Sequence, residues 1–322
     1  MLDYLSFIFN WRLIRQRLCK GGAAAFACIG VFRTLEWVLT KSISALNVPI
    51  DINLKAFYVI AICIAICCGI KESLPKRKVS ARIAGTDISI SCKICDMLKQ
   101  RGDITVSVND TFDTTFEGDF VSPKSLQGRF QLKYYGRKRI LLLDNQIEAQ
   151  LSGDTSYFKL NDRIMSKAKR YSPGKVIKLD VGKWWNIGGR KHAYLLALSQ
   201  STAYGTASTL DEHFYSAIQC FWEQIREIGH KETLNIPIIG TGRSGLQKDR
   251  MTIIKDIIYS FVTASRNCRG VIVPELIICI SPKDAIKYKV DLDDLEKFMY
   301  VHCNNNSIFS GEGSSSSRVV NV

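Results

Sequence analysis

The segment Asn235–Leu246, NIPIIGTGRSGL, carries the densest chemical signal in the chain. Its apolar run Ile236–Ile239 predicts a buried strand, and Asp249–Ala264 predicts a helix. Between them stand Gly240, Thr241, Gly242, Arg243, Ser244 and Gly245, closed by Leu246. Glycines here let backbone N–H groups approach an anion closely, and the following helix adds its positive end. Arg243 either meets a phosphate or stands in solvent, and without a ligand the segment is a tight strand–helix turn. The string also satisfies G-x-G-x-x-G, the dinucleotide fingerprint. That fingerprint opens its fold, whereas this one follows several predicted strands, and its acidic ribose partner has only Glu275 as a loose candidate.

A second segment runs from Asp96 to Gly128. Asp96 ends a predicted strand, and Asn109, thirteen positions later, ends the next and opens NDTFDTTFEGDFVSPKSLQG. If those two parallel strands are neighbours, Asp96, Asn109 and the glycine turn converge on one crevice at the strand ends. A carboxylate at Asp96 accepts from an exocyclic amine. The alternative role for Asp96 is a helix N-cap on Met97–Gln100, worth about 1 kcal/mol.

Other chemistry is thin. The chain has no GxxxxGK[ST] and no HExxH, and His192, His213, His230 and His302 are scattered. Cys92-Lys93-Ile94-Cys95 forms a C-x-x-C with no second pair, so no metal site is expected. Many of the 11 cysteines, including Cys28, Cys63, Cys67, Cys68 and Cys279, lie in apolar runs. They read as small hydrophobes in a reducing cytosol.

The elements that must position these residues alternate. Ile88, Ile90, Cys92 and Ile94 have strand periodicity, and Ile104–Val108, Arg139–Leu143, Val176–Val181, Tyr194–Leu198 and Leu276–Ile280 predict further strands. Asp211–Gly229 predicts an amphipathic helix through Phe214, Ile218, Phe221, Trp222 and Ile225, and Asp291–Tyr300 predicts another. Strands alternating with helices predict a layered α/β domain over 83–303, followed by a loose Ser-rich tail over 304–322.

Ahead of that domain the sequence changes character. The 322 residues carry a net charge of +14, and residues 1–82 alone hold 12 Lys+Arg against 4 Asp+Glu. Charge concentrated outside the folded domain points to a membrane surface rather than to nucleic acid. Gly21–Thr40 and Ala56–Ile70 predict two transmembrane helices within 21–72, after a basic amphipathic segment 1–20 and before a basic linker 73–82. The alternative for Ala56–Ile70 is a buried core helix. Arg33 and Glu36 share a helix face and can pair, either lining a pore or sitting near an interface. Lys and Arg flank the hairpin on its outer ends, which places both termini in the cytosol by the positive-inside rule. From 133 to 191 stand 14 Lys+Arg against 5 acids, by default a solvated face.

Asp96, Val108-Asn109 and the later Pro237…Gly240-Thr241-Gly242…Gly245 resemble a macro domain, the three-layer α/β/α fold with a mixed sheet that binds ADP-ribose and its derivatives. The resemblance covers about residues 83–302. It implies that Asp96 holds the adenine amine. It implies that loop Asn109–Gly128, with Asn109, Asp110, Gln127 and Gly128, and loop Gly240–Leu246 cradle the diphosphate and distal ribose. The Gly run that usually follows the loop-one Asn is replaced by Asp110–Phe120, which favours binding over hydrolysis. The alternative is a membrane-tethered ADP-ribosyl hydrolase in which Asn109 and Asp110 or Asp113 position water.

The whole chain, with its hairpin and the strings NDTFDT, SLQG and IGTGRSGL, resembles the membrane effectors of type II Thoeris antiphage defence. That resemblance implies a non-enzymatic sensor in the bacterial inner membrane, without cofactor. Its signal would be an ADP-ribose derivative, such as a histidine conjugate, made by a TIR-domain partner. Binding would drive homo-oligomerisation and damage to membrane lipid, with no nucleic acid involved.

Overall fold

The computed structural model describes residues 2–46, 54–161, 167–181, 192–201, 207–209, 211–240, 245–268 and 270–304. The chain divides into two compact units, Met1–Arg77 and Lys78–Val322.

The first unit is helical: α1 (Leu2–Ile8), α2 (Trp11–Leu46) and α3 (Leu54–Ser73). Helix α2 has 36 residues, which at 1.5 Å per residue is about 54 Å. Among the described residues, Arg17–Val38 is the stretch long and apolar enough to cross a membrane. The basic residues expected in a separate segment before it, Arg12 to Lys20, are instead the first turns of α2. The second apolar run, Ala56–Ile70, lies within α3. Helices α2 and α3 pack against each other where side chains vanish. A Cβ on Gly21 would lie 2.0 Å from Ser73 Oγ and 2.5 Å from the Gly69 carbonyl oxygen. Small residues thus set the approach of the two backbones. Arg33 Nη1 stands 3.2 Å from Glu36 Oε2, as their spacing predicts. Tyr58 joins them, accepting from Arg33 at 2.7 Å and donating to Glu36 Oε1 at 2.6 Å.

The second unit is built on a mixed sheet. Its strands are β1 (Lys78–Arg82), β2 (Ser89–Ile94), β3 (Asp103–Asn109), β6 (Val176–Asp180), β7 (His192–Ser201), β8 (Ala207–Ser208), β9 (Leu234–Pro237) and β10 (Glu275–Ile280). A separate hairpin pairs β4 (Tyr157–Lys159) with β5 (Lys169–Tyr171). The strand order is β1-β2-β10-β9-β3-β7-β6, with β8 beside β7. Five strands, β2, β10, β9, β3 and β7, run parallel. β1 and β6 close the two edges antiparallel. Residues 78–82, read from sequence as the end of a basic linker, are thus the edge strand β1.

Helices cover both faces. α4 (Leu126–Tyr134) and α5 (Ile140–Leu151) lie on one. Phe130, Leu143 and Ile147 cluster there with Ile104, Val106, Val108, Leu195, Ile277 and Cys279. α6 (Asp211–Ile228), α7 (Arg250–Asn267) and α9 (Leu292–Asn304) cover the other face, and α8 (Pro282–Lys287) follows β10. α6 packs on β7, and α7 packs between α6 and α9. Helices α6 and α7 meet at Trp222, whose ring lies tilted 5.0 Å from that of Phe261 and which donates to Ser260 Oγ at 3.0 Å. The fold is the expected α/β/α sandwich. One expected strand is not: Arg139–Leu143 is a 3-10 turn running into α5. The apolar run continues as Leu143, Ile147 and Leu151, whose spacing is helical, and all three are buried.

The amino-terminal edge of the sheet holds a buried cluster. Asp103 accepts from the His192 amide at 3.1 Å and from Tyr194 Oη at 3.1 Å. The His192 ring stacks on His230 at 3.7 Å. Burial pulls His192 below the usual imidazole range, with His230 and Lys178 adding to it against the opposing pull of Asp103. Burial and then Arg266 do the same to His302. The unfolded chain takes up these protons near pH 6.5, the folded chain only below that. This stability is present above about pH 6.5 and is lost as pH falls further. Thermal unfolding at pH 7.5 and 5.5 should show a larger acid loss for the wild type than for His192→Gln/His302→Gln. Equal losses would remove histidine from the account.

Candidate functional site

Parallel strands end on one edge, so β2, β10, β9, β3 and β7 deliver their carboxyl ends side by side. Asp96 follows β2, Gly240 follows β9, and Asn109 ends β3. The expectation that β2 and β3 are neighbours is incorrect: β10 and β9 stand between them. Three inter-strand steps of ~4.8 Å separate the two ends by about 14 Å. Gly240, at the end of β9, therefore lies between Asp96 and Asn109 in strand order.

The turn is locked at both ends. Gly240 has φ +75° and Gly245 φ +64°, both in the left-handed region that glycine occupies at no steric cost. The Leu246 amide donates to the Gly240 carbonyl at 3.2 Å. Leu246 is buried, and a Cβ on Gly240 would press on its side chain at 3.0 Å. Thr241, Gly242, Arg243 and Ser244 lie outside the described residues. Beyond Leu246, Lys248 ties the exit to α6 and α7. Its Nζ donates to Tyr215 Oη at 2.6 Å and lies 3.6 Å from Asp211 and 3.7 Å from Asp256. Helix α7 does not follow the turn directly. It starts at Arg250, and its first amides, Met251 N and Thr252 N, are capped by Asp249. The positive helix end expected behind the turn is therefore engaged by the protein's own carboxylate.

The Asn109 loop is saturated internally. Asn109, 7% exposed, donates through Nδ2 to Asp113 Oδ2 at 2.7 Å and accepts at Oδ1 from the Asp113 amide at 2.9 Å. Thr111 Oγ1 donates to the same Asp113 oxygen at 2.7 Å, and the Lys167 amide reaches the other at 3.2 Å. Asp110 is also buried. It pairs with Arg170 Nε at 2.9 Å and accepts from the Ser201 amide at 3.0 Å. Gln127 Nε2 donates to the Asp113 carbonyl at 2.7 Å. Gly128 lets α4 press on the preceding loop: a Cβ there would sit 2.1 Å from the Ser122 carbonyl oxygen. In SLQG, then, Ser125 caps α4 by accepting from Gly128 N at 3.0 Å, Gln127 holds the loop, and Gly128 allows the approach.

Asp96 takes up the capping role weighed for it. Oδ1 accepts from the Leu98 amide at 3.1 Å, heading the 3-10 turn Met97–Lys99. Oδ2 accepts from Arg129 Nη2 at 2.8 Å. Arg129 and Lys133 sit one turn apart on α4, and Lys133 Nζ donates to the Leu98 carbonyl at 2.5 Å. Helix α4 thus touches both flanks of the edge, the Asp96 turn through Arg129 and Lys133 and the Asn109 loop through Gln127. Sequence reading gave no helix here. Its signal was Ser125 before a run lacking proline, with Phe130 and Tyr134 at helical spacing. Arg170 and Lys167, which brace the loop from β5 and the residues before it, also escaped it, because nothing local marks a partner some 60 residues away.

Gly128→Ala should force α4 off the loop and cost about 1–3 kcal/mol. Thermal unfolding should show a drop of several degrees, whereas an unchanged melting point would mean the loop yields freely.

Residues 90–281 match the family model described as Thoeris protein ThsA, Macro domain. Among solved structures, the Oceanobacillus iheyensis macrodomain with ADP is similar at 11% identity, covering 69% of this chain and 99% of that one, with a TM-score of 0.45. The macrodomain of Mycobacterium tuberculosis DarG is similar at 16% identity, covering 59% and 96%, with a TM-score of 0.35. No curated protein matches the chain. With the matched model spanning more than half its length, the chain belongs to the family of the Thoeris protein ThsA macro domain.

Proposed function

We propose that the macro domain binds an ADP-ribose-derived signal, such as a histidine conjugate, made by a TIR-domain partner during phage infection. Binding shifts the protein toward a homo-oligomer that disrupts the bacterial inner membrane. The observation that carries this reading is Gly240, with its left-handed φ, at the end of β9 between the Asp96 and Asn109 strand ends in a chain of this family. In it, the adenine amine reaches Asp96 in exchange for Arg129. The diphosphate meets the backbone of Gly240–Leu246, and the distal ribose lies against the Asn109–Gly128 loop.

The reading is of a binder and not an enzyme. Both ends of the Asn109 amide are engaged by Asp113, and both Asp113 oxygens already accept. These bonds aim Asn109 and Asp113 at one another, an arrangement that holds the loop in place. In the first unit, α2 and α3 form a two-span hairpin with both ends in the cytosol. Its packing supports that reading: glycine contacts bring the helices together, and Arg33, Glu36 and Tyr58 bond across them, although the Arg33 side chain is itself two-thirds exposed. The signal must favour the assembled state to drive it.

Titration calorimetry of the full chain in detergent should show saturable binding of ADP-ribose or its histidine conjugate, and light scattering should show larger particles with the active ligand. Gly240→Ala, which places a Cβ at φ +75°, should weaken binding at least about tenfold. Binding unaltered by this change, or no binding by the wild type, would contradict the reading.

A further inference from the structure

Helices α2 and α3 carry polar residues at two matched levels. At one level Arg17 Nη1 donates to the Leu74 carbonyl at 3.1 Å, and Lys20, Lys71 and Glu72 lie within one turn of that contact. At the other, Arg33 Nη1 donates to Tyr58 Oη at 2.7 Å and lies 3.2 Å from Glu36 Oε2. Arg17 and Arg33 are sixteen residues apart, as are Tyr58 and Leu74, which is about 24 Å of helix in each case. Between the levels, residues 21–32 and 59–70 contain no charge, and Phe26, Ile29, Ile62 and Ile66 stand exposed there. Those uncharged stretches are each about 18 Å long. Long cations reaching outward from both ends extend such a layer toward the ~30 Å of a bilayer's hydrocarbon core. Trp37, 61% exposed, stands one turn beyond Arg33 with Lys41 Nζ 5.0 Å over its ring. Tryptophan and tyrosine gather at the headgroup level in this way. Both Arg33 bonds leave from Nη1, and the side chain is 67% exposed. A guanidinium has five donors, and its natural anionic partner at a headgroup level is a phosphate.

We propose that Arg33 is a phospholipid-binding residue: anchored by Tyr58 and Glu36, its guanidinium holds a headgroup phosphate of the leaflet away from the cytosol. The cluster then marks the outer limit of the hydrocarbon layer and does not line a pore, and α2 runs on past it to Leu46. This rests on the two-span reading above and adds the register of the spans and the lipid group they contact. The apolar side chains exposed between the two levels argue for lipid as the occupant, and the phosphate completes the charge that Glu36 alone shares with Arg33.

The full-length chain in the inner membrane of bacterial spheroplasts, treated with a membrane-impermeant maleimide and scored by mass shift, tests the register. Wild type should stay unlabelled until detergent is added, because Cys28, Cys63, Cys67 and Cys68 lie within the uncharged layer and the remaining thiols on the cytosolic side. Thr40→Cys should label and Ile29→Cys should not. Native mass spectra of the chain released from phosphatidylglycerol nanodiscs test the phosphate: Arg33→Gln should retain fewer phospholipids than wild type, and Arg33→Lys should keep the wild-type number. Labelling of Ile29→Cys overturns the proposal, since water then reaches the middle of the span. So does protection of Thr40→Cys, and so does equal lipid retention by Arg33→Gln and wild type. Labelling of the wild type without detergent, or release of the chain by alkaline carbonate, defeats the two-span reading itself and the proposal with it.

Discussion

The carboxylate of Asp113 is the point from which the candidate site is held. It is buried, and it accepts from Asn109, Thr111 and the Lys167 amide, while the backbone carbonyl of the same residue accepts from Gln127. A buried carboxylate is tolerated only when its oxygens are filled, and removing one partner leaves a cost of about 1–3 kcal/mol. The constraint ties together the end of β3, the start of α4 and Lys167, two residues before the second strand of the β4–β5 hairpin. Asp110 repeats the arrangement one layer out, joined to Arg170 and the end of β7. The loop is therefore held in one arrangement by the protein's own contacts.

Side chains whose polar atoms are committed to one another orient a loop well. The residues assigned to the ligand from sequence are of two kinds. Asn109, Asp110, Gln127 and Gly128 build the loop through their side chains or their lack of one. Asp96 is different, since its partner Arg129 is itself half exposed and the pair is of the sort that exchanges readily.

The layered fold was legible because the strands Ile104–Val108 and Leu276–Ile280 and the helices beginning at Asp211 and Arg250 carry strong periodicity. Arg139–Leu143 misled because five residues cannot separate period 2 from period 3.6; the helical pattern emerges only at Ile147 and Leu151. The glycine turn was legible as a motif, yet its place in the edge was not. Strand order is set by long-range pairing, and no local feature announces that β9 and β10 insert between β2 and β3. The roles of Gln127 and Arg170 were hidden for the same reason.

The central claim is that a nucleotide-sugar diphosphate lies along this edge, from the Asp96 turn across the glycine turn to the Asn109 loop. Amide hydrogen exchange of the full chain, with and without saturating histidine conjugate of ADP-ribose, tests it most directly. The account predicts slowed exchange at residues 96–100 and 240–246, with the already saturated amides around Asp113 changing little. Exchange that slows only elsewhere, or nowhere while the chain remains folded, would contradict it.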